Sequence, residues 1–352
     1  MENIICQFET EGELQTYSPY GNGHVNRTYF VKTDQGKQYI LQRVNRFAFR
    51  NVPGLMDNIL FVTKALAEKS EDPRSYLHLV PTRQGGYWTL TDDGEYWRMY
   101  EYVEGSICLE EAQTPEDFYQ SAVGFGRFQS LLRDFPIDTL IDTIPNFHNT
   151  IDRYRLFHEA VEADVCGRAA SVRDEIDFFL AREEKGGALQ IMREKGELPV
   201  RVTHNDTKLN NVLMDAQTRK ALCVIDLDTV MPGLVAYDFG DAIRFGASTG
   251  AEDEKDLEKV RFDLGLYEIF AEGFVPTCGG LTQREIETLP LGAWVMTLEN
   301  GMRFLTDYLS GDVYYSIARP EHNLDRARTQ IKLVGEMEQN QEAMEALIRK
   351  YL

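Results

Sequence analysis

Short runs of β-branched, aromatic and other apolar residues recur in the N-terminal part of the chain and are separated by polar turn residues, as is typical of β-strands. The predicted strands are residues 28–32, 39–43, 87–90 and 96–103. Polar turns containing Gly36 and Gly94 separate the two members of each pair, so each pair predicts a hairpin. Between the hairpins, residues 54–69 place apolar side chains at helical spacing. The order predicts a small sheet with one helix.

After Gly105 the periodicity becomes helical. Thr114 and Pro115, followed by two acidic residues, are typical of a helix N-terminus, and residues 323–352 carry another long amphipathic pattern. We therefore predict an α+β fold of two lobes. The β-rich lobe is residues 1–104, the larger and mainly helical lobe is residues 105–352, and the cleft between them is the expected site.

Residues that carry chemistry are concentrated in the stretch 202-VTHNDTKLNNVLMD-215. An alternating strand pattern leads into His204, and residues 212–214 and 222–225 predict a hairpin that ends at Asp226. The side chains of Asp206, Asn211 and Asp226 can therefore converge on one point.

This group of side chains suits phosphoryl transfer. A hydroxyl nucleophile needs a carboxylate to orient it and accept its proton, which fits Asp206. Mg²⁺ on nucleotide phosphates needs hard oxygen ligands, which fits Asn211 and Asp226. Asp228 would share a face with Asp226 in extended chain and could join the metal shell directly or through water. Lys208 is placed to meet a terminal phosphate.

Composition excludes several other functions. The net charge of −20 argues against nucleic acid and anionic membranes as partners, because both require clustered cations. The five cysteines are scattered without a C-x-x-C pair, which fits reduced thiols rather than a disulfide frame or a zinc site. With no basic, apolar leader and no membrane-spanning run, we expect a soluble, cytoplasmic protein.

The spacing His204-x-Asp206-x-x-x-x-Asn211 resembles the catalytic loop of small-molecule kinases that share the protein-kinase-like fold, such as aminoglycoside phosphotransferases and choline kinases. The resemblance implies that Asp206 is the base, that Asn211 and Asp226 hold Mg²⁺, and that His204 supports the loop. The letters Asp238-Phe239-Gly240 spell a protein-kinase metal motif, but they do not follow a strand. For Asp238 and Asp241 a structural role in bracing the loop is favoured.

The same resemblance locates the ATP site in the N-terminal lobe. Gly21 and Gly23 precede a predicted strand, where backbone amides could approach phosphates, although such turns also occur in plain hairpins. The segment 100-YEYVEG-105 is similar to a kinase hinge, in which backbone groups of Glu101 and Val103 would pair with adenine. Where the family carries a phosphate-binding Lys, this chain offers Gln42 or Arg43, or neither residue serves. The predicted helix 54–69 also lacks a central Glu to pair with such a Lys.

Longer segments narrow the resemblance to N-acetylhexosamine 1-kinases, which phosphorylate the anomeric hydroxyl of N-acetylglucosamine or N-acetylgalactosamine. They include 202-VTHNDTKLNN-211, 224-VIDLDTVMPG-233 and 301-GMRFLTDYLSGDVYY-315. The resemblance implies sugar contacts at His24, Phe245, Arg303 and Tyr314, and an Arg there would repel a polycationic aminoglycoside. Two alternatives stay open: a kinase for an aminoglycoside, choline or amino-acid alcohol, and a silent nucleotide-binding relative. The oligomeric state is not predicted.

Overall fold

The N-terminal lobe is built on a five-stranded antiparallel sheet. The structure is a computed structural model, and it describes residues 1–21 and 25–352. The strands are β1 (Leu14–Pro19), β2 (Arg27–Thr33), β3 (Gln38–Val44), β4 (Thr89–Leu90) and β5 (Tyr96–Glu101). Their spatial order is β1-β2-β3-β5-β4, so β3 and β5 are direct neighbours in the interior of the sheet.

Both faces of this sheet are covered, which explains why its strands carry apolar residues on both sides. The short helix α1 (Glu2–Ile5) lies on the outer face, where Ile5 packs with Tyr39 and Leu41. Helix α2 (Val52–Lys69) lies on the inner face, where Leu55 and neighbouring apolar residues join the main core of the protein. The side of β3 that carries Gln42 therefore faces the rest of the protein, because successive strand residues alternate between faces.

The C-terminal lobe adds two small sheets to a set of helices. The strands are β6 (Ser106–Cys108), β7 (Arg201–Thr203), β8 (Val212–Asp215), β9 (Ala221–Val224) and β10 (Met231–Gly233). The helices are α3 (Pro115–Leu131), α4 (Thr150–Ala163), α5 (Arg173–Leu180), α6 (Glu183–Gly186), α7 (Ala188–Glu194), α8 (Val235–Gly246), α9 (Leu264–Thr277), α10 (Gln283–Leu309), α11 (His322–Gln339) and α12 (Gln341–Ile348). Strands β6, β8 and β9 form one sheet, and β7 pairs with β10. Helix α10 is the centre of the lobe and packs against α4, α8 and α11.

The two-lobe α+β prediction is confirmed, with local differences. Strand β4 has two residues instead of the four predicted, and β1 and α1 were not predicted. The predicted C-terminal helix is divided at Asn340 into α11 and α12, and a short 3-10 turn, Arg349–Tyr351, ends it. No helix within residues 1–21 and 25–352 combines the length and apolarity needed to cross a membrane.

Helices α8 and α10 cross at a contact that only glycine allows. A Cβ built on Gly292 of α10 would collide with the backbone oxygen of Ala236 on α8, and one built on Gly240 would collide with the backbone of Gly292. Since α8 also carries Asp238 and Asp241, this contact fixes the position of both carboxylates relative to the loop that follows β7.

We predict that Gly292→Ala lowers the free energy of unfolding by about 1–3 kcal/mol, because the new methyl group must push α8 away from α10. Gly335→Ala is the matched control, since a Cβ at Gly335 of α11 meets nothing within 4 Å. That variant should be as stable as the parent or up to about 1 kcal/mol more stable. Urea unfolding measures both changes, and equal stabilities would contradict a tight crossing.

Candidate active site

The loop after β7 is held by two buried carboxylates of α8. Asp238 accepts hydrogen bonds from the backbone amides of His204 (2.9 Å) and Asn205 (2.8 Å) and from the side-chain amide of Gln129 (2.6 Å). Asp241 accepts the amide of Thr207 at 3.0 Å. Burial raises the pKa of Asp238, while these hydrogen bonds oppose that shift. Both carboxylates thus lie where the structural interpretation of the 238-DFGD-241 motif predicts.

His204 ties the same loop to the segment that leads into Asp226. Its side chain is fully buried, its Nε2 lies 2.8 Å from the carbonyl oxygen of Ile225, and its Nδ1 accepts the amide of Asp206 at 3.3 Å. These bonds fix the neutral tautomer with the proton on Nε2. The position of His204 suits a supporting role rather than contact with a substrate.

Asp206 is oriented from both sides. Lys208 Nζ lies 3.0 Å from Oδ1, and the side-chain amide of Asn211 donates to Oδ2 at 3.0 Å and to the Asp206 carbonyl at 2.8 Å. Burial alone would raise the pKa of Asp206, but the charge and hydrogen bond of Lys208 and the hydrogen bond of Asn211 hold it below its usual value. A carboxylate in this state is ionised at neutral pH and can orient a hydroxyl group.

Asn211 and Asp226 form a small set of oxygen ligands. The amide of Ile225 donates to the carbonyl of Asn211 at 2.9 Å, which brings the neighbouring Asp226 close. Asp226 is reached by solvent, and among the described residues neither its carboxylate nor the amide oxygen of Asn211 accepts a hydrogen bond. The surrounding protein and the charges of Asp228 and Asp206 raise the pKa of Asp226 to about 6.

This arrangement fits a metal that shares its shell with phosphate. In the described part of the chain no three His, Cys, Asp or Glu side chains are grouped as metal ligands. Mg²⁺ commonly takes one or two protein carboxylates and completes its shell with water and phosphate oxygens. Asn211 and Asp226 therefore suit Mg²⁺ bound together with a nucleotide.

Asp228 is placed differently from Asp226. It is 2% exposed, and both of its oxygens are occupied: one pairs with the guanidinium of Arg98, and the other accepts from Asn26 Nδ2 at 2.6 Å. The structure therefore brings Asp228 near the metal ligands but commits its carboxylate to the N-terminal lobe. Direct metal ligation, which the sequence left open, would require breaking a buried ion pair.

Arg98 is the important residue that the sequence analysis missed. It lies on β5 directly opposite Gln42 of β3, is 1% exposed, and donates from Nε (3.0 Å) and Nη2 (2.8 Å) to Gln42 Oε1. The paired strand patterns could have suggested this contact, since an Arg in an otherwise apolar strand opposite Gln42 is a signal. Arg98 thus supplies a buried cation beside the position where the family carries Lys.

Gln42 and Arg43 lie on opposite faces of the sheet. Gln42 faces the cleft, where it also donates to Thr28 Oγ1 at 3.1 Å. Arg43 lies on the other face, with its guanidinium 3.8 Å from Glu95. Gly21 has a φ of 73°, a left-handed value that suits glycine in a turn. Gly23 and His24 lie outside the described residues.

The hinge segment leaves two backbone groups uncommitted. The amide of Glu101 donates to His78 and the carbonyl of Val103 accepts from Ser106 Oγ at 2.6 Å. Within the described residues, no hydrogen bond reaches the carbonyl of Glu101 or comes from the amide of Val103. One acceptor and one donor separated by one residue match the edge of an adenine ring.

Arg303 and Tyr314 line one cavity of the C-terminal lobe. The cavity measures 200 Å³, and Arg153 and Tyr315 also contribute to its wall. The Arg303 guanidinium lies over the rings of Phe147 (5.1 Å) and Tyr315 (5.8 Å), and it forms no hydrogen bond with any residue that the structure describes. Tyr314 is 63% exposed. Phe245 does not line this cavity; it lies at the end of α8 beside Arg244.

The loop that carries Tyr314 is fixed by Asp307. The buried carboxylate accepts the amides of Val313 (2.9 Å), Tyr314 (2.8 Å) and Tyr315 (3.0 Å) and the side-chain amide of Asn323 (2.9 Å). Four hydrogen bonds occupy both oxygens of this carboxylate, so neither oxygen is free to pair directly with a bound cation.

The cavity connects to the catalytic loop through Glu299, one helical turn before Arg303. Glu299 Oε1 lies 2.9 Å from His148 Nδ1, and His148 Nε2 lies 3.3 Å from the carbonyl of Asn205. Thr150 donates to the other oxygen of Glu299 at 2.6 Å. Both carboxylates near the cavity are thus engaged, whereas two guanidinium groups border its space.

Comparison with known proteins agrees with this fold and site. The family model described as Phosphotransferase enzyme family matches residues 16–272, and the chain belongs to this family. It is accordingly an enzyme of the kinase type, which confirms the predicted reaction class.

Similar solved structures cover almost the whole chain. An aminoglycoside phosphotransferase from Alicyclobacillus acidocaldarius is 15% identical, with a TM-score of 0.64 over 99% of this chain and 95% of that chain. A microcompartment-associated aminopropanol kinase is 17% identical, with a TM-score of 0.60 over 98% and 97%. An amicoumacin kinase in complex with AMP-PNP and Ca²⁺ is 14% identical, with a TM-score of 0.57 over 90% and 87%. These likenesses confirm the protein-kinase-like fold.

Removing the cation at Arg98 should destabilise the protein strongly. We expect Arg98→Met to lower the free energy of unfolding by about 3–5 kcal/mol, because Asp228 is left as an uncompensated buried charge. Arg133→Met is the control, since Arg133 pairs with Asp134 at the surface, where the side chains are 49% and 72% exposed. The Arg133→Met change should lower the free energy of unfolding by less than about 1 kcal/mol. Urea unfolding compares the two variants, and equal effects would show that the buried pair is not formed.

Proposed function

We propose that this chain transfers the γ-phosphoryl group of ATP, in the presence of Mg²⁺, to the anomeric hydroxyl of an N-acetylhexosamine. The observation that carries the choice of acceptor is the charge of the cavity lined by Arg303 and Tyr314. The guanidinium groups of Arg153 and Arg303 are at its wall. The nearby carboxylates of Asp307 and Glu299 are already hydrogen-bonded. Among the described residues, a positively charged acceptor would find no carboxylate oxygen there that is free to pair with it directly.

A neutral sugar suits this cavity. Aromatic rings can cover the apolar face of a sugar, and the free donors of Arg303 can bind its hydroxyl or acetyl oxygens. In contrast, aminopropanol, choline and aminoglycosides are cationic at neutral pH. The aminopropanol and aminoglycoside kinases share the fold, so the difference in acceptor would come from these side chains rather than from the architecture.

Asp206 would be the catalytic base. Its ionised carboxylate orients the attacking hydroxyl and accepts its proton as the phosphoryl group moves. Lys208 uses one donor on Asp206, and an ammonium group has others for a phosphate oxygen. Asn211 and Asp226 would hold Mg²⁺, which neutralises charge on the phosphates when bound.

The nucleotide would enter between the sheet and the C-terminal lobe. The carbonyl of Glu101 and the amide of Val103 would pair with adenine, and Gly21 would lie in the turn above the phosphates. Arg98, held by Gln42, would provide the cation that the family obtains from Lys. We assign Asp228 to anchoring Arg98 and not to direct metal ligation.

The reaction and its base can be tested together by ³¹P NMR. The protein with ATP, Mg²⁺ and N-acetylglucosamine or N-acetylgalactosamine should form an anomeric sugar 1-phosphate. Asp206→Asn should slow turnover by roughly 10²–10⁴-fold, because proton transfer is lost, while ADP binding is retained. Asp134→Asn, which changes an exposed carboxylate, is the control. If ATP stays intact with both sugars the acceptor assignment fails, and an unchanged Asp206→Asn rate contradicts the role of the base.

The charge of the cavity gives a second test. Arg303→Met should lower kcat/KM for the N-acetylhexosamine by about 10–100-fold, since a hydrogen bond from a charged donor is worth about 1.5–3 kcal/mol. Activity with choline or an aminoglycoside should rise relative to the sugar. Arg284→Met, an exposed change on the same helix, should leave both values unchanged. If the parent protein prefers cationic acceptors, the sugar assignment is wrong.

A further inference from the structure

A second cavity lies at the end of the N-terminal sheet that is farthest from the hinge. It measures 460 Å³ and is bordered by the start of β2, the end of β3 and the turn before β5. Arg27, Arg43 and Arg46 line it, together with Phe47 and one acidic residue, Glu95. None of these residues takes part in the phosphoryl-transfer site.

The strand register separates this cavity from the nucleotide cleft. Arg27 is paired with Arg43, and the next pair is Thr28 with Gln42. Gln42 faces the cleft through its contact with Arg98. Since neighbouring strand residues point to opposite faces, Arg27 and Arg43 lie on the outer face of the sheet. The guanidinium groups of Arg27 and Arg43 would therefore approach a ligand from the face of the sheet opposite the cleft.

The cations of the cavity are only partly compensated. Arg43 is 3.8 Å from Glu95, beyond hydrogen-bond length, and Arg46 spends one donor on the carbonyl of Gly94 at 2.8 Å. Arg27 forms no ion pair or hydrogen bond within residues 1–21 and 25–352. Three guanidinium groups share one carboxylate, although acidic residues outnumber basic ones by 57 to 37 in the whole chain.

We propose that this cavity is a second anion site, which binds the phosphate group of a small phosphate ester. Guanidinium groups recognise phosphate oxygens with paired N–H donors, and several such groups can surround one phosphate. The cavity is larger than a single phosphate ion requires. Phe47 lines the cavity and is 82% exposed, so its ring offers an apolar surface for the organic part of the ester.

The wall of this cavity is linked to the Arg98 ion pair. Asn26 accepts the amide of Asn45 at 2.9 Å and donates to Asp228 at 2.6 Å. Asn45 in turn binds the backbone amides of Phe47 (3.0 Å) and Ala48 (3.2 Å). A phosphate ester that immobilises Arg46 and Phe47 would therefore act on the segment that holds Asp228, which offers a route for regulation by phosphorylated metabolites.

Isothermal titration with the full chain tests the proposal independently of the proposed reaction. The cleft is first filled with Mg²⁺ and AMP-PNP, and inorganic phosphate or glycerol 3-phosphate is then titrated. We expect the affinity for phosphate to fall as the salt concentration rises. The double variant Arg27→Gln/Arg43→Gln should lower this affinity by about tenfold or more. The control pair Arg133→Gln/Arg284→Gln makes the same charge change at exposed positions of the C-terminal lobe and should leave the affinity unchanged.

A third variant distinguishes the two sources of phosphate. If an ester is the ligand, Phe47→Ala should weaken the binding of glycerol 3-phosphate and leave the binding of inorganic phosphate unchanged. If Phe47→Ala binds glycerol 3-phosphate as tightly as the parent does, the site recognises the phosphate group alone, and the proposal of an ester ligand is wrong. Circular dichroism checks that each variant folds. If the double variant Arg27→Gln/Arg43→Gln does not fold, the single variant Arg46→Gln takes its place. Equal affinity in the Arg27/Arg43 and control pairs, or no binding once AMP-PNP fills the cleft, overturns the proposal.

Discussion

The buried ion pair between Arg98 and Asp228 is the interaction on which the geometry of the cleft depends. One partner belongs to the central part of the N-terminal sheet and the other to the segment that carries Asp226. Two buried charges must stay together, because separating them would leave each without solvent or partner. Gln42 and Asn26 complete the hydrogen bonds of the pair. The sheet and the segment that carries Asp226 are thereby held in one relative position.

A second constraint holds the catalytic loop from the opposite side. Asp238 fixes the consecutive backbone amides of His204 and Asn205, and Asn205, which directly precedes Asp206, has a φ of 64°. A left-handed residue other than glycine is costly and persists only where its surroundings impose it. The close crossing of α8 and α10 supplies that support. Asp206 is therefore positioned by the packing of two helices rather than by its own strand.

Local signals in the sequence were sufficient to predict that Asp206, Asn211 and Asp226 lie close together. The spacing of Asp206, Asn211 and Asp226 follows from a strand, a loop and a hairpin that are each short and contiguous. Arg98 could not be found in the same way, because its role depends on the pairing of β3 with β5 and on a partner far along the chain. The same reason explains Asp228, whose sequence position suggested a metal ligand while its tertiary contacts commit it to Arg98. The division at Asn340 also follows from helix packing, not from periodicity.

The distribution of charge ties these features together. A chain with a net charge of −20 repels anions at long range, so a site for phosphate needs positive charge that is supplied locally. Arginine supplies such charge at three places: the Arg98 pair in the cleft, the Arg303 cavity and the outer cavity of Arg27, Arg43 and Arg46. In the first the cation is matched by a buried carboxylate, so it is a structural element that a phosphate can share. In the other two the guanidinium groups exceed the free carboxylates, and this excess is what gives them the chemistry of binding sites.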